Sequence, residues 1–219
     1  MLMACAAAIL MALFGFVYVN YTPVYGKKLL PLKGIATFMA VIPALSLVDN
    51  GSAAVRWLFV GGIILCALAD IFLDINFAAG ILLFAAAHIC FIIALIQCGG
   101  FRFYTVIFWA VLIGVFIGTF GKWTRKLKRK KLLVPALAYA ALLCGMCAAA
   151  VTTAVDIAVH SGLIRGIWAA AGGVMFTASD YILAGTFIEG RQSIKNTRII
   201  MALYYGAVFA LGVFAGCIG

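Results

Sequence analysis

The sequence predicts an all-α polytopic membrane bundle of eight transmembrane helices, forming a single integral domain over residues 1–219. Three observations carry this. Hydrophobic residues make up 67% of the chain and charged residues 10%, with a mean hydropathy of +1.22; a soluble domain is nearer half apolar and about a quarter charged. Apolar runs near the roughly 20 residues needed to cross a bilayer recur along the whole chain. The basic residues fall overwhelmingly in alternate loops, as a positive-inside topology requires.

The spans follow in order. The first, 2–20, has no Lys or Arg ahead of it, lacks the positive region of a signal peptide, and is read as a retained helix. It breaks at "TPVYGKK". The second, 33–49, opens with Lys33 and ends at "DNGSAAVR". The third, 57–74, carries Asp70 and Asp74 and stops at "DIN". The fourth, 77–97, contains His88 and ends at "CGGFR". The fifth, 103–121, precedes "KWTRKLKRKK" (122–131). The sixth, 132–153, gives way to "DIAVHSG". The seventh, 164–187, contains "GGVMFTASDYILAG" and ends at "EGRQSIKNTR", and the eighth covers 199–218. The breaks are turn or charge signals, and no soluble domain is left over. Gly114 with Gly118, and Gly212 with Gly216, have the small-xxx-small spacing that lets helices approach closely.

With eight spans, the loops on one side hold 13 Lys and Arg and those on the other hold Arg56, Arg102 and Arg165. Both termini are therefore expected on the non-cytoplasmic side. The net charge of +10 does not indicate nucleic acid. Seven of the 16 basic residues lie in residues 122–131, with Trp123 the one aromatic residue there to stack on a base. That stretch is read as a cytoplasmic loop facing anionic lipid. The seven cysteines are odd in number and lie mostly inside apolar runs, so no disulfide framework is expected. "CGMC" (144–147) falls mid-helix and is read as packing.

Six acidic residues are present. Asp49, Asp156 and Glu189 fall in loops, and Asp74 sits at the inner end of the third span. Asp70, Asp180 and His88 lie inside spans. An ionisable group there costs at least about 2.5 kcal/mol and normally faces a cavity or a partner. At about 1.5 Å of rise per residue, Asp70 lies roughly 6 Å from the inner end, Asp180 and the Tyr204–Tyr205 pair roughly 8–10 Å, and His88 roughly 16 Å. Lys33 opens the second span on the same side. One polar cavity open towards the cytoplasmic leaflet accounts for this distribution. Gly62, Cys66, Asp70 and Asp74 form an i, i+4 series, and Gly173, Phe176, Asp180 and Ala184 a comparable stripe.

Carboxylates meeting in a poorly hydrated pocket do not both ionise easily, so one keeps its proton. A protonated acid beside an ionised base is the equipment of acid–base hydrolysis. With two histidines in the chain, and His160 in a distant loop, a three-histidine zinc site is impossible. No metal or organic cofactor is expected. Ser179 and Asp180, being adjacent, point about 100° apart on a helix and do not form a triad.

"LADIFLDINFAAGILLFAAAHICFIIAL" (68–95), followed by "GGVMFTASDYILAG" (172–185) and preceded by "LKGIAT", resembles the YhhN-type lysoplasmalogenase family. The resemblance runs in order over almost the whole chain. It implies functional positions at Asp70, Gly80, Phe84, His88, Ser179 and Asp180, with Lys33 and Tyr205 in addition. The chain departs from the family in having Ala69 before Asp70, Gly34 after Lys33 and Val208 after the tyrosine pair. The implied activity is hydrolysis of the vinyl ether of a lysophospholipid substrate, catalysed by Asp70, Asp180 and His88. Lys33, Asp74, Ser179, Tyr204 and Tyr205 are then substrate contacts. The alternative from the residues is a small proton-coupled transporter or channel using the same acids.

Overall fold

The computed structural model describes residues 2–47, 52–99, 101–129, 132–161, 163–191 and 193–217, and all regular structure among them is helical. The helices are α1 (Leu2–Tyr25), α2 (Leu30–Phe38), α3 (Val41–Ser46), α4 (Ala53–Ile75), α5 (Phe77–Gly99), α6 (Phe103–Phe120), α7 (Thr124–Arg129), α8 (Leu133–Ser161), α9 (Leu163–Glu189) and α10 (Ile194–Gly216). Asp49, Lys130, Lys131 and the last residue of the expected eighth span lie outside the described residues.

Seven stretches among the described residues are long and apolar enough to cross a membrane, with Leu2–Ser46 taken as one run. This is the multi-pass membrane bundle expected, but the second span is not a continuous helix. Its described residues from Lys33 to Ser46 fall in α2 and α3, which are separated by a turn at Met39 and Ala40. The cause is Pro43. Its ring has no N–H to donate and would collide with the carbonyl four residues earlier, that of Met39. The chain reverses after α1 at Gly26, whose φ of +58° suits a residue without a side chain. Together α2 and α3 pack along α1, α4 and α10.

The tightest neighbours are α4 with α5, α8 with α9, and α9 with α10, while α6 rests mainly on α8 and leaves most of its surface outward. The outward faces are apolar (Ile9, Leu13, Leu82, Val115, Ile117 and Val174 are exposed), as a lipid-facing belt must be. Inside, Phe59, Phe91, Phe214, Leu95 and Leu211 are fully buried. Phe59 packs edge-on to Phe214 at 5.6 Å and tilted against Phe91 at 6.0 Å. These side chains form an apolar plug through the half of the bundle remote from the acids.

The two glycine pairs differ. A side chain at Gly212 or Gly216 would strike the backbone of Ala40 or Pro43, so this pair seats α10 against α3. A Cβ at Gly114 or Gly118 would meet nothing within 4 Å, so among the described residues this pair does not seat α6 against another helix. At Gly80 a Cβ would lie 2.6 Å from the Cα of Leu73, so α5 comes close to the α4 backbone here. That contact places α5 beside the carboxylate end of α4.

Candidate functional site

The polar residues of seven helices converge at the end of the bundle that carries the α1–α2, α4–α5 and α9–α10 connections. The i, i+4 series on α4 buries Gly62, Cys66 and Asp70 in one line, with Asp74 at its more open end. Asp70 is only 2% exposed. Lys33, from α2, is 3% exposed, and its Nζ lies 3.8 Å from Asp70 Oδ1 and 3.2 Å from Asp74 Oδ2. A lysine this deeply buried requires such partners. Thr37, one turn beyond Lys33, donates to Asp70 Oδ2, and Tyr204 of α10 donates to the same oxygen at 2.9 Å. Tyr18 of α1 stands under the ammonium, its ring centroid 5.7 Å from Nζ, and its hydroxyl is 3.5 Å from Asp74.

Asp180 belongs to a second group. The Tyr139 hydroxyl of α8 donates to its Oδ2, and His88 Nε2 lies 3.2 Å from that hydroxyl and 4.0 Å from the carboxylate. His88 is completely buried and packs against Phe176 at 4.7 Å. Its Nδ1 meets no hydrogen-bond partner among the described residues. Phe84, Phe176 and Tyr204 stack edge-on with centroids 5.4–6.2 Å apart and close the site on its inner side.

Two cavities meet here. A polar cavity of ≈ 300 Å³ is lined by Lys33, Asp70, Asp74, Ser179, Asp180 and Tyr204, with Thr186, Ser193, Asn196 and Thr197 towards its mouth. An apolar slot of ≈ 140 Å³ runs between α5, α6, α8 and α9, and among the described residues its only polar side chains are Tyr139 and Asp180. Leu73, Leu183, Phe187 and Asp180 border both, so Asp180 stands in the wall that the polar and apolar spaces share.

Of the residues singled out in the sequence, Lys33, Asp70, Asp74, Ser179, Asp180 and Tyr204 line the polar cavity, while His88 reaches it through Tyr139. The Ser179 hydroxyl donates to the Ile200 carbonyl at 3.1 Å, tying α9 to α10. Tyr205 is not brought to this cavity. Its ring packs against Gly15, it borders a separate groove between α1 and α10, and its hydroxyl has no partner among the described residues. The sequence reading missed Tyr139, Thr37 and Tyr18. Thr37 was accessible, since it follows Lys33 by one helical turn. Tyr139 sits in a span with no ionisable residue nearby in sequence, so only the packing of α8 on α9 reveals it. Among the described residues, no three His, Cys, Asp or Glu side chains are grouped to hold a metal ion.

A family model described as the YhhN family matches residues 27–213 of the chain. No curated protein and no solved structure matches it.

Proposed function

From a chain that belongs to the YhhN family, we propose a membrane hydrolase that cleaves the vinyl ether bond of lysoplasmalogens, single-chain alkenyl glycerophospholipids. Its products are a fatty aldehyde and a glycerophospho-ethanolamine or -choline. The observation that carries this reading is that Asp70 and Asp180 line one polar cavity in contrasting surroundings. Asp70 has a lysine and two hydroxyls turned towards it, the setting of an anion. Asp180 faces Tyr139 and the junction with the apolar slot.

In the proposed reaction Asp180, as the acid, delivers its proton to the alkenyl carbon farther from the ether oxygen. The π electrons form the new C–H bond, leaving an oxocarbenium ion at the carbon attached to oxygen. Water adds to that carbon and gives up a proton to the Asp70 carboxylate. The hemiacetal then collapses, its C–O bond to glycerol breaking as the aldehyde C=O forms, with protons returned through the acids. One water is consumed and no electrons are exchanged. The division of labour parallels the paired carboxylates of glycosidases, which act on similar oxocarbenium-like species. Lys33 faces Asp70 as its counter-charge, and Tyr139 with His88 orients Asp180. The hydroxyls and amide at the cavity mouth offer hydrogen bonds to a phosphate-bearing head group.

The orientation belongs to the same proposal. The end carrying the site also carries the basic residues of α7. Positive-inside bias makes this end cytoplasmic, with α2–α3 crossing as a broken eighth span and both termini on the far side. The apolar plug of Phe59, Phe91 and Phe214 supports a site open on one side rather than a through-route for a transported solute. The test is product analysis by mass spectrometry, with the protein reconstituted in bilayers and offered alkenyl or acyl lysophosphatidylethanolamine. Aldehyde and glycerophosphoethanolamine are expected from the alkenyl lipid alone. Asp70→Asn and Asp180→Asn should each lower the rate by about a hundredfold or more. A folded but inactive wild type, or full activity in either variant, overturns the proposal.

A further inference from the structure

The apolar slot beside Asp180 takes no part in the chemistry above. We infer that it is the subsite for the hydrocarbon chain of the lipid, an inference that rests on the vinyl ether reading. Its lining is hydrocarbon and aromatic throughout except at Tyr139 and Asp180, which are bonded to each other. An unbranched alkyl chain is the ligand such a surface accepts, since its burial is favourable and leaves no polar group unpaired.

The slot and the polar cavity are also immediate neighbours, sharing Asp180 in their linings. In an alkenyl lysolipid the reactive bond is the junction between polar glycerol and apolar chain. A head group in the polar cavity and a chain in the slot set that junction against Asp180. The carbon to be protonated lies on the chain side of the ether oxygen, which is why Asp180 rather than Asp70 is the donor. Asp70 does not border the slot.

The walls of the slot fit this use. Between the two cavities stands a rib of Leu73, Leu183 and Phe187, with Phe187 stacked on Phe77 of α5 at 4.6 Å. Along its other side α6 packs on α8 and stays largely outward, so the slot adjoins the lipid-facing surface. Over one end lies α7, with Leu127 turned in while Arg125, Lys126, Lys128 and Arg129 are exposed. Trp123 stands behind Phe120, centroids 4.5 Å apart.

Two measurements on bilayer-reconstituted full-length protein test the assignment. Ala136 borders the slot and is not among the residues lining the polar cavity. Ala136→Trp fills the slot. KM for a hexadecenyl lysolipid should rise at least about tenfold, the loss of roughly two buried methylenes, while kcat/KM for a butenyl analogue stays within about twofold. A folded variant that changes both substrates equally, or neither, overturns the inference. The second measurement needs no turnover and no slot variant. With Trp57, Trp109 and Trp168 replaced by phenylalanine, Trp123 fluorescence should be quenched by lysophosphatidylethanolamine brominated along its chain. Excess unbrominated lysolipid should relieve the quenching. Quenching that competition does not relieve, or none, overturns the slot. A wild type that binds the brominated chain competitively but releases no aldehyde would instead refute the hydrolase reading and leave the chain site standing.

Discussion

Tyr139→Phe removes one oxygen atom and nothing else from the site. That oxygen donates to Asp180 and lies 3.2 Å from His88 Nε2, so both groups lose their mutual link. The phenyl ring that remains keeps the wall of the apolar slot. A hydrogen bond to a charged or strongly polar partner contributes about 1.5–3 kcal/mol. If that interaction holds Asp180 at the reacting carbon, its loss lowers kcat by about ten- to a hundredfold, at roughly 1.4 kcal/mol per decade. KM should move by less than about threefold, because the hydroxyl orients an acid rather than binding the lipid. The assay is steady-state aldehyde release by bilayer-reconstituted protein, paired with a thermal unfolding curve. Removing the hydroxyl leaves Asp180 short of a partner, so stability should also fall, by about 1–2 kcal/mol. Wild-type kcat in Tyr139→Phe would refute the orienting role. So would a rise in KM with kcat unchanged, because that pattern marks a lost contact to substrate.

Further predictions follow from the same geometry. Lys33→Met leaves Asp70 buried with hydroxyls as its partners, and unfolding stability should fall by about 3 kcal/mol. Lys33→Met/Asp70→Asn should recover part of that in denaturant titration, since the uncompensated charge is gone. Gly80→Ala drives a methyl into the Leu73 backbone of α4 and should destabilise by about 1–3 kcal/mol. Gly61→Ala, where nothing lies within 4 Å, should be neutral or stabilising by up to about 1 kcal/mol by the same thermal measurement. Ser179→Ala removes the tie to the Ile200 carbonyl and should lower stability by about 1 kcal/mol. It should leave aldehyde release within about threefold of wild type. Incubation with a chelator should leave the rate unchanged.

The membrane bundle was legible in the sequence because lipid imposes a length and an apolarity on every spanning helix, and both appear directly in residue order. The acidic face of α4 was legible for a similar reason. Gly62, Cys66, Asp70 and Asp74 repeat at the helical period, and the structure buries the first three in one line. The broken second span was misread although its signal was present. Pro43 sits within it, and its ring is incompatible with the Met39 carbonyl in a continuous helix. Tyr139 was not legible at all, because its partners, Asp180 and His88, lie 41 and 51 residues away. A tyrosine in an apolar run carries no mark of the helix it will face. Tyr204 and Tyr205 show the limit from the other side. Adjacent residues leave a helix about 100° apart, so one enters the carboxylate cavity and the other turns to the α1–α10 groove.

The central claim is that a carboxylic acid in this cavity protonates the alkenyl carbon of a lysolipid. Hydrolysis in deuterated water tests it most directly, with the aldehyde trapped by immediate reduction and its isotope content read by mass spectrometry. The account predicts one deuterium on the carbon next to the aldehyde carbon in the wild-type product, and no product above background from Asp180→Asn. An aldehyde without that deuterium, or one released equally by Asp180→Asn, would contradict it.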